Sequence, residues 1–354
     1  MTAESQRLQE QKEGRVPWQR WGPYVSERQW GTVREDYSKD GEAWPYFPHE
    51  HARSRAYRWG EDGIAGLSDE KQRVCITLAL WNGRDPILKE RMFGLANGEG
   101  NHGEDVKELY NYLDATPTHS YLKMLYRYPQ GEFPYQKLRE ENRKLGRDQF
   151  EYDLPDTGIF DDMRWFDVTV EYAKADAEDI LMCITVWNRG PERAAIHVLP
   201  QICFRNNWSW KPGSYKPVMM LTPDGAILVH HSELGEFECC VQGEGTPLFT
   251  ENETDRNLLY GQHETGSHFK DAFHERVIRG NTAAVNPQNF GTKAAIWKRL
   301  EIDGGRQQQV RLRLRVSGLS DDPFANFDEI LAKRRREADE FYAELQGELD
   351  DAMA

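Results

Sequence analysis

The chain has 354 residues, which at about 150 residues per domain sets a starting expectation of two domains. With 11 Trp, 15 Tyr and 15 Phe and a hydrophobic fraction of 38%, it has material for a large core, so disorder is excluded for most of its length. Its net charge of −14, with no basic stripe to neutralise phosphates, excludes general nucleic-acid binding.

The first residues are polar as far as Gly14 and carry no apolar signal core, so no secretory leader is expected. No run of about 18 apolar residues follows anywhere, so no membrane span is expected. Residues 1–65 are rich in Trp, Tyr, Arg, Asp and Gly with little periodicity. They read as an irregular segment packing on the remainder, the kind of long loop that tends to be functional.

From Cys75 onward the pattern is β. Runs at 164–173, 180–187 and 194–204 are β-branched and aromatic, and Asp/Asn/Gly/Pro clusters separate them, which is the spacing of an antiparallel meander. Further strands are expected at 75–81, 120–126, 227–231, 237–241, 294–300 and 308–316. In the last, Arg311, Arg313 and Arg315 alternate with Val310, Leu312, Leu314 and Val316, predicting one wet and one buried face. So many strands without interleaved helices predict one large antiparallel super-β-sandwich over 66–320 in place of two α/β domains. The segment 133–146 is helix-permissive. A helix is expected over 323–349, capped by Asp321 or Asp322 with Pro323 in its first turn. Its apolar stripe (Phe324, Phe327, Leu331, Ala338, Phe341, Tyr342, Leu345, Leu349) needs a partner, either the sandwich or something beyond 354.

Cys75, Cys183 and Cys203 lie in strand-like runs and read as buried free thiols. Cys239 and Cys240 are adjacent, and no CxxC spacing exists, so a reduced, cytoplasmic protein is expected. The segment 98–103 matches GxGxxG, but no clean strand leads into it and Glu99, Glu104 and Asp105 would repel a pyrophosphate. The histidines at 49/51, 230/231 and 263/268/274 lack HExxH spacing, and no GxSxG elbow occurs; no metal or cofactor is expected. Three stretches mix aromatic rings with carboxylates and guanidinium groups: 26–38 (with Trp30, Arg34, Glu35 and Asp36), 54–63 (with Trp59 and Asp62) and 204–210. Rings that stack and charged groups that read hydroxyls are the chemistry of a sugar site, and core packing with structural ion pairs accounts for the same residues equally well.

Several of these stretches carry a family resemblance. Trp21-Gly-Pro-Tyr-Val-Ser-Glu-Arg-Gln-Trp-Gly-Thr-Val-Arg-Glu-Asp-Tyr37, Ala56-Tyr-Arg-Trp-Gly-Glu-Asp-Gly63, Leu80-Trp-Asn-Gly83 and Asp85-Pro-Ile-Leu-Lys-Glu-Arg91 are four of them. With Asn101-His-Gly-Glu-Asp-Val-Lys107, Pro117-Thr-His-Ser120 and 204–210, they resemble, in order, the N-terminal part of bacterial glucosidase-like proteins of glycoside hydrolase family 63. That family is related to the mannosyl-oligosaccharide glucosidases of the endoplasmic reticulum. The resemblance implies an N-terminal super-β-sandwich followed by an (α/α)6 barrel that carries the two carboxyl groups of inverting hydrolysis. No residue here matches the catalytic motifs, so no catalytic residue is assigned. The implied partners are a carbohydrate, an α-glucoside or related glycoside, and a missing or separate barrel, with 321–354 as connector. Trp30, Arg34, Glu35, Asp36, Trp59 and Asp62 are then expected to bind substrate and face that barrel, with Trp208 and Trp210 as weaker candidates. A stand-alone carbohydrate-binding or assembly module is the alternative. A compact enzyme using Glu35 and Asp36 is disfavoured, because adjacent strand residues point to opposite faces.

Overall fold

The computed structural model describes residues 1–29, 48–95, 99–101, 105–262, 266 and 268–347. Two antiparallel sheets form a sandwich. The smaller has six strands in the order β1 (Trp21–Pro23), β2 (Ile64–Asp69), β3 (Val74–Trp81), β10 (Ala194–Phe204), β16 (Lys293–Ile302) and β14 (Thr246–Thr250). The larger has nine: β15 (Phe290–Gly291), β11 (Val218–Leu221), β12 (Ile227–His231), β13 (Gly235–Val241), β17 (Gln307–Val316), β9 (Asp179–Asn188), β8 (Trp165–Asp176), β7 (Tyr121–Pro129) and β6 (Leu109–Ala115). The fragments β4 (Gly94–Leu95) and β5 (Asp105–Val106) pair separately.

The core lies between the sheets and follows the period of two. Val74, Ile76, Leu78 and Leu80 of β3 meet Ile180, Met182, Ile184 and Val186 of β9 and Val310, Leu312 and Leu314 of β17 in one buried cluster. Leu181 and Cys183, on the other face of β9, are buried too, under Phe327, Leu331 and Ala338 of the C-terminal helix. Burial on both faces explains why β9 reads as an almost unbroken apolar run.

The sandwich and the C-terminal helix stand as expected, and Cys75, Cys183 and Cys203 are buried in strands. The three-strand meander does not. β8 and β9 pair as a hairpin, but β10 crosses to the other sheet and lies between β3 and β16. Asn188 pins this crossing: its Nδ2 donates to Glu192 O at 2.7 Å and Ile302 O at 2.8 Å, and its backbone N donates to Arg306 O at 2.9 Å. The wet arginine face of β17 is also corrected. Arg313 and Arg315 are buried because Asp179 takes two bonds from Arg313 (2.7 and 2.6 Å), while Glu238 and Asp321 hold Arg315 at 2.6 and 3.0 Å. Val316, expected inside, is exposed.

The stretch read as irregular contains a helix, α1 (Ala3–Lys12), capped by Thr2, whose Oγ1 accepts from Ser5 N at 3.2 Å. It also supplies edge strand β1. The helix-permissive segment forms α2 (Tyr135–Lys144). The short α3 (Ala272–Val277) packs on the six-stranded sheet through Phe273 and Val277. The C-terminal helix, α4, spans Phe327–Gln346 and begins after Asn326, not after Asp321 or Asp322. Asp322 Oδ1 instead accepts from Phe324 N at 2.9 Å, closing a turn that precedes the helix. The sandwich covers most of its apolar stripe, although Leu345 is exposed. Arg335 clamps α4 to Glu171 on β8 through bonds of 2.7 and 2.6 Å, and Arg7 of α1 reaches Glu337.

Candidate functional site

Three strands of the six-stranded sheet carry a polar row on the face away from the core. Thr77 of β3 sits opposite Gln201 of β10, and Cys203 is flanked by Cys75 on β3 and Lys293 on β16. Residues 52–63, 88–91 and 268–274 lie over this row and enclose a pocket of about 20 Å³ lined by Asp62, Glu90, Arg91, Gln201, Lys270 and Lys293, among others.

Its electrostatics are tightly paired. Asp62 accepts from Arg91 Nε at 2.5 Å and from Lys270 Nζ. Burial pushes the Asp62 carboxyl up, but the two cations outweigh burial and hold its pKa down at about 2. Lys270 also donates to Ala52 O at 2.8 Å and Arg55 O at 2.6 Å, which satisfies the ammonium. Glu90 Oε1 accepts from Lys293 and from Gln201 Nε2 at 3.0 Å; burial raises this carboxyl, while Lys293 and Arg91 bring it below its ordinary value. The balance is incomplete at one place. Arg91 Nη1 and Nη2 and Glu90 Oε2 are buried with no hydrogen-bond partner among the described residues, and Nη2 stands 3.8 Å from Oε2. One hydroxyl group placed there could accept from the first and donate to the second.

The loops beside the pocket carry the aromatic groups. Glu61 accepts from Arg58 N at 2.9 Å and Trp59 N at 2.5 Å, fixing the turn that presents Trp59. Asn252 staples this loop to the end of β10: its Oδ1 accepts from Tyr57 N at 2.7 Å, and its Nδ2 donates to Tyr57 O and Phe204 O, both at 2.8 Å. Asn206 completes the staple by donating from Nδ2 to Asn252 O at 2.7 Å. Trp59 is thereby stacked on Trp210, ring centroids 5.0 Å apart and planes at 25°. Trp210 keeps 49% of its surface exposed, whereas Trp208 is buried and donates from its indole N–H to Glu253.

Of the residues expected to bind substrate, Trp30, Arg34, Glu35 and Asp36 lie outside the described residues. Trp59 is half-buried on the surface, and Asp62 is buried at the pocket wall. Trp210, treated as a weaker candidate, is the exposed partner of Trp59. Arg91 ends a stretch that was noticed for its resemblance alone, and nothing in the sequence marked Lys270 or Lys293, which reach Asp62 and Glu90 only through the fold. Of the GxGxxG match, Gly98, His102 and Gly103 lie outside the described residues.

Among the described residues no group of three His, Cys, Asp or Glu is arranged to hold a metal ion. The histidines scatter. His49 packs against Phe93 and Tyr135, its pKa lowered well below the ordinary value by burial and then by Arg91, and neither ring nitrogen has a hydrogen-bond partner among the described residues. His274 Nδ1 accepts from Leu88 N at 3.3 Å. No helix among the described residues is long and apolar enough to cross a membrane.

No family model matches the chain. Uncharacterized protein YMR196W of Saccharomyces cerevisiae (strain ATCC 204508 / S288c) is 40% identical over 387 residues, covering 96% of this chain and 36% of the yeast protein. The chain thus spans about a third of the length of that relative. Among solved structures, heparinase III aligns over 68% of this chain and 24% of its own, with 10% identity and a TM-score of 0.28. The galactose mutarotase related enzyme from Lactobacillus acidophilus aligns over 73% of this chain and 92% of its own, with 10% identity and a TM-score of 0.25. Both likenesses are distant.

Proposed function

We propose that this chain is the non-catalytic β-sandwich portion of a larger, glucosidase-like glycosidase, resembling glycoside hydrolase family 63, and that it supports and rims the sugar site of the complete enzyme. The motif resemblance supplies the family, and the reading is consistent with a relative about three times as long. The observation that carries it is the stapled Trp59–Trp210 pair, which offers a half-exposed indole face on the loop that also carries Asp62, the partner of Arg91. Inverting hydrolysis needs two carboxyl groups about 6.5–9.5 Å apart, one protonated and one activating water. Asp62 and Glu90 are both held ionised by cations, and Glu61, whose carboxyl burial raises above its ordinary value, has both oxygens engaged by backbone N–H groups, so none of the three is positioned as a general acid.

In this reading Trp30, Arg34, Glu35, Asp36, Trp59 and Asp62 belong to the surface that meets an (α/α)6 barrel, with 321–354 leading toward it. The test is an assay of the purified chain on aryl α-glucosides, alone and mixed with the barrel polypeptide. No turnover alone and turnover in the mixture are expected; enzyme-like rates from the chain alone would overturn it. The second reading, a sugar-binding or assembly module serving a separately encoded barrel, is favoured if the nucleotide sequence after the Ala354 codon ends the reading frame.

A further inference from the structure

Two guanidinium groups stand against the stacked indoles, and the sugar-site reading leaves them unused. Arg205, the residue after β10, has its guanidinium carbon 5.5 Å from the centroid of Trp59. Arg58 reaches the neighbour of Trp210, its Nη2 donating to Ser209 Oγ at 2.8 Å. Ser209 Oγ donates in turn to Asn206 Oδ1 at 2.6 Å, so the residue that completes the loop staple also holds Arg58 beside the exposed ring.

Among the described residues no carboxylate comes within 4 Å of either guanidinium, and the Nε of each is buried without a hydrogen-bond partner. The nearby carboxylates are committed elsewhere. Glu61 takes the backbone N–H groups of Arg58 and Trp59. Glu253 takes Trp208 Nε1, Asn206 Nδ2 at 3.0 Å and Lys216 Nζ at 3.5 Å. Burial, and after it repulsion by Arg55, hold the Arg58 guanidinium below its ordinary value in spite of Glu61 and Glu253. A partly desolvated guanidinium in this position is completed by an oxyanion, which can take two parallel bonds from the planar fork; a neutral hydroxyl accepts a bond but brings no countercharge.

We propose that the ligand received on Trp210 is an acidic sugar: a pyranose whose apolar face lies on the exposed indole and whose carboxylate, phosphate or sulfate group takes the donors of Arg58, with Arg205 adding attraction from beside Trp59. Stacking selects a ring over a bare anion, and the guanidinium groups select a charged ring over a neutral one. The inference rests on the reading of the Trp59–Trp210 surface as a sugar site and adds to it the charge of the sugar.

The test is calorimetric titration of the full chain with methyl α-glucuronide, glucose 6-phosphate and glucose 6-sulfate, against methyl α-glucoside, acetate, inorganic phosphate and inorganic sulfate. At least one acidic sugar is expected to bind about tenfold or more tightly than methyl α-glucoside and than its own simple anion, and the strongest identifies the oxyanion. Arg58→Ala should lower the affinity for that sugar to the level of methyl α-glucoside. Arg58→Lys, which keeps the charge and loses the fork, should lower it part of the way, and it serves if the alanine variant fails to fold. Equal binding of methyl α-glucoside and the acidic sugars overturns the proposal and leaves the sugar site standing. Binding of no acidic sugar, equal binding of the simple anions, or an undiminished preference in both Arg58 variants overturns it as well, while the sugar-site reading is decided separately by turnover with the barrel polypeptide.

Discussion

Arg91 gives Asp62 a single bond, from Nε at 2.5 Å, and leaves both Nη groups buried without a hydrogen-bond partner among the described residues. Asp62 is thus the counter-charge for two buried cations, Arg91 and Lys270. Removing one partner of such a set leaves the others charged and desolvated, which costs about 3–5 kcal/mol. Asp62→Asn should lower the stability of the chain by that amount in urea titration monitored by Trp fluorescence.

The same pair sets an acid response. The folded-state pKa of Asp62, about 2, lies below its ordinary value of 3.8, so the unfolded chain takes up a proton first as pH falls. The stabilisation is fully present above about pH 4 and drains away as pH falls toward 2. Asp62→Asn should therefore remove part of the slope of stability against pH below about 4 and leave the slope above it unchanged.

A second window belongs to His197 and His274. Burial, then Arg299 for the first and Arg53 for the second, lowers both pKa values to about 4 from 6.5. Between those limits the unfolded chain binds more protons than the folded one, so stability rises with pH from about 4 to 6.5. The slope for the well-buried His274 approaches about 1.4 kcal/mol per pH unit. His274→Asn should flatten that part of the profile; urea midpoints at pH 4.5, 5.5 and 7 provide the check.

The helix α4 makes a prediction that can be read chemically. Phe327 is fully buried against the sheet, and truncating a buried Phe costs about 3–5 kcal/mol. Phe327→Ala should loosen the cover over β9 and expose Cys183, which packs in the same cluster. Thiol labelling mapped by mass spectrometry should show faster modification at Cys183 and unchanged rates at Cys75, which lies in a different sheet.

Trp210→Ala tests the aromatic pair. Such stacks contribute about 0.5–1.5 kcal/mol, and half of this ring is already in water, so the loss of stability should stay within that range. In a glycosidase of the kind proposed above, binding of glucosides should fall by about tenfold or more if the face of Trp210 meets the sugar.

The sequence revealed this molecule where burial imposes a local pattern. β3, β9, β12 and β17 are nearly contiguous apolar or alternating runs because core packs on one or both of their faces. Strands such as β1 and β11 are too short to register a period, and they exist because a longer neighbour offers its edge. Arg313 and Arg315 misled because charge was equated with solvent, whereas Asp179 and Glu238 supply their partners from neighbouring strands. The same reason hid the polar pocket. Asp62, Arg91, Lys270 and Lys293 come from four separate segments, and their meeting is a property of the crossing at Asn188 and the β10–β16 pairing.

The strand order also dictates how the chain can be assembled. β6, β7, β8 and β9 are successive nearest-neighbour pairings, ready as soon as residue 188 has been synthesised. β9 and β13 cannot be joined until β17 enters between them, more than a hundred residues after β9. Until then two strand edges with unpaired backbone groups stand open in a nascent polypeptide, a template for association between molecules. A ribosome-stalled or truncated product ending before residue 307 is therefore expected to aggregate, whereas one reaching residue 316 closes the sheet.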